Sequence, residues 1–156
     1  MRTRLVTHTG EQMKFRMLAM VAGLALSTGT ASAAEQASLY KRLGGYDALA
    51  AVTDDFIQRL ATDKQLGRFF VGHSTDSVRR IRQLVLDQLC AATGGPCYYI
   101  GRDMKTAHAG MHISEADWDA AVADLNATLA KFAVPAREQQ EVVAAIGALK
   151  PQIVGL

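Results

Sequence analysis

One of the chain's four histidines, His108, stands where an imidazole could do metal chemistry. It is delivered by the run Gly94-Gly95-Pro96-Cys97-Tyr98-Tyr99-Ile100-Gly101-Arg102-Asp103-Met104-Lys105-Thr106-Ala107-His108-Ala109-Gly110-Met111. Glycines bound this segment, so it has room for only a turn or two of helix, and packing alone would hold it poorly. A single imidazole in that setting, facing apolar helices that form a dry pocket, is what haem iron requires of its protein ligand. In a neutral imidazole one ring nitrogen ligates while the other donates to a backbone carbonyl that fixes the ring. On a helical turn the carbonyl of Met104 is the natural acceptor.

The other histidines offer less. His112 follows His108 by four residues, the spacing of two-histidine metal sites on helices. Gly110 between them argues against a regular helix there. His73 sits in a loop, where a surface role is the simpler reading than a swing toward a metal. Arg79, Arg80 and Arg82 read as a solvated helix face, although one of them, or Lys105, could pair with a ligand carboxylate.

The elements that must position His108 are helical. From Ser38 onward the apolar residues recur at helical spacing in segments separated by glycines, so the fold class is all-α. A short helix runs from Ser38 to Arg42 and stops at Gly44-Gly45. From Tyr46 to Leu60, the residues Leu49, Thr53, Phe56 and Leu60 mark one face, with Ile57 beside it. A connector holds Leu66, Phe69 and Phe70. The spacing predicts a central helix over 76–92, with Val78, Ile81, Val85, Leu89 and Ala92 inward and Arg79, Arg82 and Asp87 toward water. Ser114 and Asp117 form a capping-box-like start to a helix whose stripe is Trp118, Val122, Leu125, Leu129 and Phe132. Pro135 opens a last helix with Val142, Ile146 and Leu149 inward, up to Pro151. Two helix pairs packed across each other are expected, with the His108 segment between them.

The N-terminal residues read differently. Met13-Lys14-Phe15-Arg16 is a positive start, 17–26 is an apolar run, and Ala31-Ser32-Ala33 is a small-residue cleavage site. Residues 1–33 are therefore expected to be an N-terminal extension and secretory signal peptide, cleaved after Ala33, leaving one domain over 34–156 in the periplasm or otherwise exported. The alternative, an uncleaved anchor, needs about 20 apolar residues, and Gly23, Ser27 and Thr28 break this run. No stable membrane span is expected after cleavage.

Four of the 17 basic residues and one of the 15 acidic ones lie before residue 34, so the remainder carries 13 against 14, a net charge of −1. That near-neutral body has no basic cluster beside exposed aromatics and gives no support for nucleic-acid binding. Export lets Cys90 and Cys97 pair, which would staple a helix end to the loop leading to His108. Two free, half-buried thiols are the alternative. Neither cysteine belongs to a C-x-x-C-H motif, so a haem would be held without a thioether bond.

Taken in order, Leu39-Tyr40-Lys41-Arg42-Leu43-Gly44-Gly45, Asp55-Phe56, Phe69-Phe70, Gly94-Gly95-Pro96, Tyr99-Ile100-Gly101, Met104-Lys105, His108 and Gly110 through Ile113 form a specific pattern. From about Ser38 to the C-terminus the chain resembles the truncated haemoglobins, specifically their first group. The resemblance implies a two-over-two helical sandwich enclosing one b-type haem (iron protoporphyrin IX) per chain, with His108 as the iron ligand. It further implies that Phe70 packs on the porphyrin, that Phe56 lies near the distal side, and that Tyr99, Met104, Ile113 and Trp118 line the cavity. Oxygen, nitric oxide or carbon monoxide would be the small ligands, with a reductant of unspecified kind as partner.

The chain departs from the family on the distal side. Where the family often has a tyrosine after the phenylalanine, Ile57 stands here. The two distal-helix positions, often glutamine, align with Ile81 and Val85 when about three extra residues are placed between Val71 and Val78. Gln83 and Gln88 are the nearest alternative donors. An apolar distal side forgoes a hydrogen bond worth roughly 1 to 3 kcal/mol to a polarised gas ligand. Reversible binding of a diatomic gas is the expectation; a haem-dependent nitric oxide dioxygenase or peroxidase is the alternative, and it would need a distal donor, acid or base.

Overall fold

The computed structural model describes residues 37–156. The leader expected over residues 1–33 lies outside the described residues. Those described are helical throughout: α1 (Leu39–Arg42), α2 (Gly45–Thr62), a 3-10 turn (Gly67–Phe70), α3 (Thr75–Ala92), α4 (Met104–His108), α5 (Glu115–Lys131), α6 (Ala136–Gly147) and a closing 3-10 turn (Lys150–Gln152). No helix among them is long and apolar enough to cross a membrane.

Local chemistry sets the boundaries. Ser38, Ser74, Asp103 and Ser114 each accept a backbone N–H from the residue three positions on, satisfying an otherwise unpaired donor at the starts of α1, α3, α4 and α5. At α5 the box is reciprocal, Asp117 accepting from the Ser114 backbone. Gly44 precedes α2 with φ of 96°, a left-handed conformation that side-chain-bearing residues rarely adopt.

Helices α2 and α3 pack antiparallel, α5 packs on α6, and the two pairs meet through α2 and α5. Val52, Leu89, Leu125, Leu129 and Val142 form the core where they join, bordered by half-buried Phe56 and Val85. A second cluster, Leu49, Leu86 and Cys90, seals α2 to α3. Across the main seam Asp55 of α2 accepts from Thr128 of α5 at 2.9 Å and pairs with Lys131, and within α2 it accepts from Arg59 at 2.7 Å. These three donors hold the Asp55 carboxyl well below the usual carboxylate range, Lys131 contributing most.

Three expectations about faces need correction. On α3 the buried residues are Leu86, Leu89 and Cys90, while Val78, Ile81 and Val85 are half-buried and Ala92 is exposed. The helix touches α2 along one stripe and the α5 side along the next, so its inward surface is wider than the single stripe read from spacing. Arg82 and Asp87 do not face open water: Arg82 donates to both Asp54 oxygens, at 2.6 and 3.1 Å, and Asp87 accepts from Gln83 at 2.9 Å. Phe132 forms the C-cap of α5 and is 39% exposed.

Candidate haem site

Asp103 opens α4 by accepting from the Thr106 backbone at 2.9 Å and its hydroxyl at 2.7 Å. Those two bonds, the hydroxyl's first, hold its carboxyl below the ordinary range. The resulting single turn of helix brings His108 Nδ1 to 2.8 Å from the carbonyl oxygen of Met104, the acceptor expected from spacing. A carbonyl only accepts, so Nδ1 carries the proton and Nε2 of the neutral ring keeps its lone pair. Among the described residues Nε2 has no hydrogen-bond partner. A half-buried imidazole whose free lone pair is aimed by a hydrogen bond at its other nitrogen is a ready ligand for iron.

The approach to α4 is braced. Cys90 and Cys97 form a disulfide with Cα atoms 5.7 Å apart, tying the last turn of α3 to the loop before α4. Gly95 fits beneath it: a Cβ there would lie 2.5 Å from Tyr40 Cδ2 and 2.6 Å from Cys90 Sγ. Further along, Tyr99 folds over Gly101 and its hydroxyl donates to the Arg102 carbonyl at 2.7 Å. Burial, and then the charge of Asp103, push its phenol above the ordinary value. After His108 the chain turns at Gly110, and His112 adopts φ of 52°. No regular helix therefore joins His108 to His112, and both His112 and His73 are exposed. No group of three or more metal-ligating side chains occurs among the described residues.

The remaining candidate residues lie on α2, α3, the 3-10 turn, α5 and the segment after α4. Met104 and His108 are joined directly on α4. Phe56 and Val85 border the same core cluster, and Ile81, one turn before Val85, is half-buried. Ile57 is buried at 5% exposure and lines a cleft of about 560 Å³ between α2 and α3 with Ala61, Val78 and the polar Asp54, Arg82 and Gln83. Gln83 is engaged on that side, donating to Tyr46 and Asp87. Phe70 ends the 3-10 turn, half-buried. Ile113 accepts a backbone bond from Gly155 at 2.9 Å, which moors the segment after α4 to the C-terminal turn. Trp118 is 9% exposed, with Lys150 Nζ 6.0 Å from its ring centre.

Phe56, Phe70, Ile81, Val85, Tyr99, Met104, His108 and Ile113 are thus half-buried, and Ile57 and Trp118 are buried. One imidazole with a free ring nitrogen on α4, together with mostly apolar half-buried side chains on the other elements, suits a flat apolar group with a central metal. It suits a multi-ligand ion site poorly, because that needs several polar donors. The donor set fits a haem.

Sequence reading missed Asp117 as more than a helix cap. Its carboxylate, 2% exposed, also accepts from Gln65 at 2.8 Å and Arg68 at 2.7 Å. Both donors come from the corner that carries Phe70. Partners 52 and 49 residues away leave no local periodic signal.

Comparison with known proteins agrees with the fold. The family model described as bacterial-like globin matches residues 38–154. The chain is 35% identical over 120 residues to the group 1 truncated haemoglobin of Mycolicibacterium paratuberculosis, spanning 77% of this chain and 86% of that one. Among solved structures, the truncated haemoglobin of Tetrahymena pyriformis in its Fe(III) form superposes with a TM-score of 0.71 at 28% identity, over 76% of this chain and 99% of that one. The 2/2 haemoglobin of Synechococcus, in the cyanomet state with covalently attached haem, gives 0.67 at 28% identity, over 74% and 95%. Set in a helical 2/2 frame, a half-buried histidine with one ring nitrogen anchored and the other free is thus accompanied by a family match over nearly all the described residues: the chain belongs to the bacterial-like globin family, among the group 1 truncated haemoglobins.

Proposed function

We propose that this chain is an exported haem protein that reversibly binds a diatomic gas, with one b-type haem held by His108. Membership of the globin family implies the haem cofactor and a small diatomic gas such as oxygen as its ligand. When bound, the haem supplies the iron at which such a gas is taken up and released. The observation that carries the role of His108 is its 2.8 Å bond to the Met104 carbonyl, which fixes the tautomer and aims Nε2.

The other residues act by packing and exclusion. Phe70, Tyr99, Met104, Ile113 and Trp118 would cover the porphyrin, removing apolar surface from water. Phe56, Ile57, Ile81 and Val85 would line the distal side and supply no acid, base or strong hydrogen-bond donor. That composition favours reversible binding over dioxygenation or peroxidation, both of which rely on such a group. Nitric oxide and carbon monoxide would suit the same four apolar side chains, and a reductant would keep the iron ferrous. Absence of C-x-x-C-H supports a haem without a thioether link.

Export rests on the leader pattern at residues 13–33 and is consistent with the Cys90–Cys97 disulfide, since such bridges persist in oxidising compartments. Two experiments test the proposal. Purified 34–156 titrated with haemin should develop a Soret band at one haem per chain, with ferrous and carbonyl forms to match. A chain that stays folded and colourless would remove the haem reading. N-terminal sequencing of protein from the periplasmic fraction should begin at Ala34; cytoplasmic protein with an intact leader would remove the export reading.

A further inference from the structure

Asp117 holds more than its own helix. Oδ2 accepts from the Ser114 backbone at 2.9 Å, from the Ser114 hydroxyl at 2.7 Å and from Arg68 Nη2 at 2.7 Å. Oδ1 accepts from Gln65 Nε2 at 2.8 Å. A capping box needs only the Ser114 bonds, which could be made at the solvent edge. Here the carboxylate is buried, a costly placement for a charge unless both oxygens are paired, and the extra donors come from a different part of the fold.

Those donors belong to the corner between α2 and the 3-10 turn. Arg68 lies with its guanidinium carbon 4.4 Å from the centre of the Phe69 ring and also donates to the Gln65 carbonyl at 2.5 Å. One arginine therefore joins Asp117 to the Phe69-Phe70 pair. On the other side, Ser114 ends the segment that runs from His108 through Ile113. Trp118 is the next residue on α5.

We infer that Asp117 is a positioning residue for the haem. It sets the spacing between three walls of the site: the corner carrying Phe70, the segment leaving His108, and α5 with Trp118. This inference rests on the haem reading proposed above. Phe70 and Trp118 reach the porphyrin from separate elements, and the Asp117 carboxylate is the hub to which both elements and the His108 segment are bonded. Loosening it lets the Phe70 wall move while the core of Val52, Leu89, Leu125 and Leu129 stays intact.

The test removes the corner's donors and leaves the capping box alone. Gln65 and Arg68 are both exposed positions, so Gln65→Leu and Arg68→Met change little at the surface. Each haem-loaded variant is mixed with excess apomyoglobin, and haem transfer is followed alongside the ferrous iron–histidine stretching band. The double variant is expected to lose haem roughly fivefold to tenfold faster, a fraction of the worth of the two charge-assisted hydrogen bonds it removes. Its iron–histidine band should broaden, and Arg68→Lys should recover part of the change. Arg137→Met, on an exposed arginine of α6, a helix that carries none of the candidate site residues, serves as the control. A folded double variant that retains haem at the wild-type rate, with an unchanged band, overturns the positioning role alone. A wild-type chain that takes up no haem overturns both this inference and the reading beneath it.

Discussion

Opening the Cys90–Cys97 bridge should weaken the fold and, more than proportionately, the hold on His108. The bridge spans seven positions in sequence, so it closes a ring of about eight residues. The chain-entropy relation then gives about 2.5 kcal/mol lost when the bridge is opened. For a domain of about 120 residues, with an unfolding entropy near 2.1 cal/mol/K per residue, that corresponds to a fall in Tm of about 10 °C. The location adds a local effect. Cys90 is fully buried between α3 and Tyr40, whereas α4 buries no residue and packs chiefly on the closing 3-10 turn. Freed from Cys97, the 98–103 loop loses its covalent tether and keeps only the Tyr99–Arg102 bond and the Asp103 cap. Calorimetry with and without a reductant measures the global term; hydrogen exchange over 98–108 and haem loss measure the local one. A Tm unchanged within 1 °C, with unaltered exchange over that segment, would refute the idea that the bridge braces the ligand loop. Cys90→Ala/Cys97→Ala should behave as the reduced protein does, which separates bridge loss from side effects of the reductant.

Other consequences follow from single contacts. Gly95→Ala would drive a methyl against Cys90 Sγ and Tyr40, so a destabilisation of roughly 1–3 kcal/mol is expected in urea unfolding; wild-type stability would show that the contact relaxes freely. Asp55 has a depressed folded pKa, so its stabilisation is complete above the unfolded value near 4 and drains away as pH falls toward the folded value. Asp55→Asn should therefore lower Tm at pH 6 and flatten its fall between pH 5 and 3, and an undiminished acid slope would contradict the assignment. Val85→Gln places a donor at a half-buried position on the proposed distal side and should slow oxygen release by roughly tenfold to a hundredfold in stopped-flow. An unchanged rate would mean Val85 does not face the gas.

Local rules made much of this legible. Helical spacing, glycine stops and the Ser38 and Ser114 starts all appear where the sequence puts them, because caps and turns depend on neighbours within a few residues. The Met104–His108 bond was legible for the same reason, four residues being one helical turn. The sequence left Cys90 and Cys97 as either a bridge or two free thiols, and the sulfur geometry decides for the bridge. What stayed hidden depends on partners far along the chain. Leu86 and Cys90 are buried because α3 meets two neighbours, which no single stripe reveals. Arg82 looked solvated until α2 brought Asp54 to it, 28 residues away. Asp117 looked like a cap until the corner delivered Gln65 and Arg68.

His108 Nε2 is the nitrogen proposed to bind the iron. The most direct test is resonance Raman of the ferrous protein, comparing wild type, His108→Gly and His108→Gly with added imidazole. Wild type should show an iron–histidine stretching band that disappears in the glycine variant and returns, shifted, with imidazole filling the vacated space. A glycine variant that keeps the wild-type band would contradict the assignment and move the iron's ligand elsewhere in the chain.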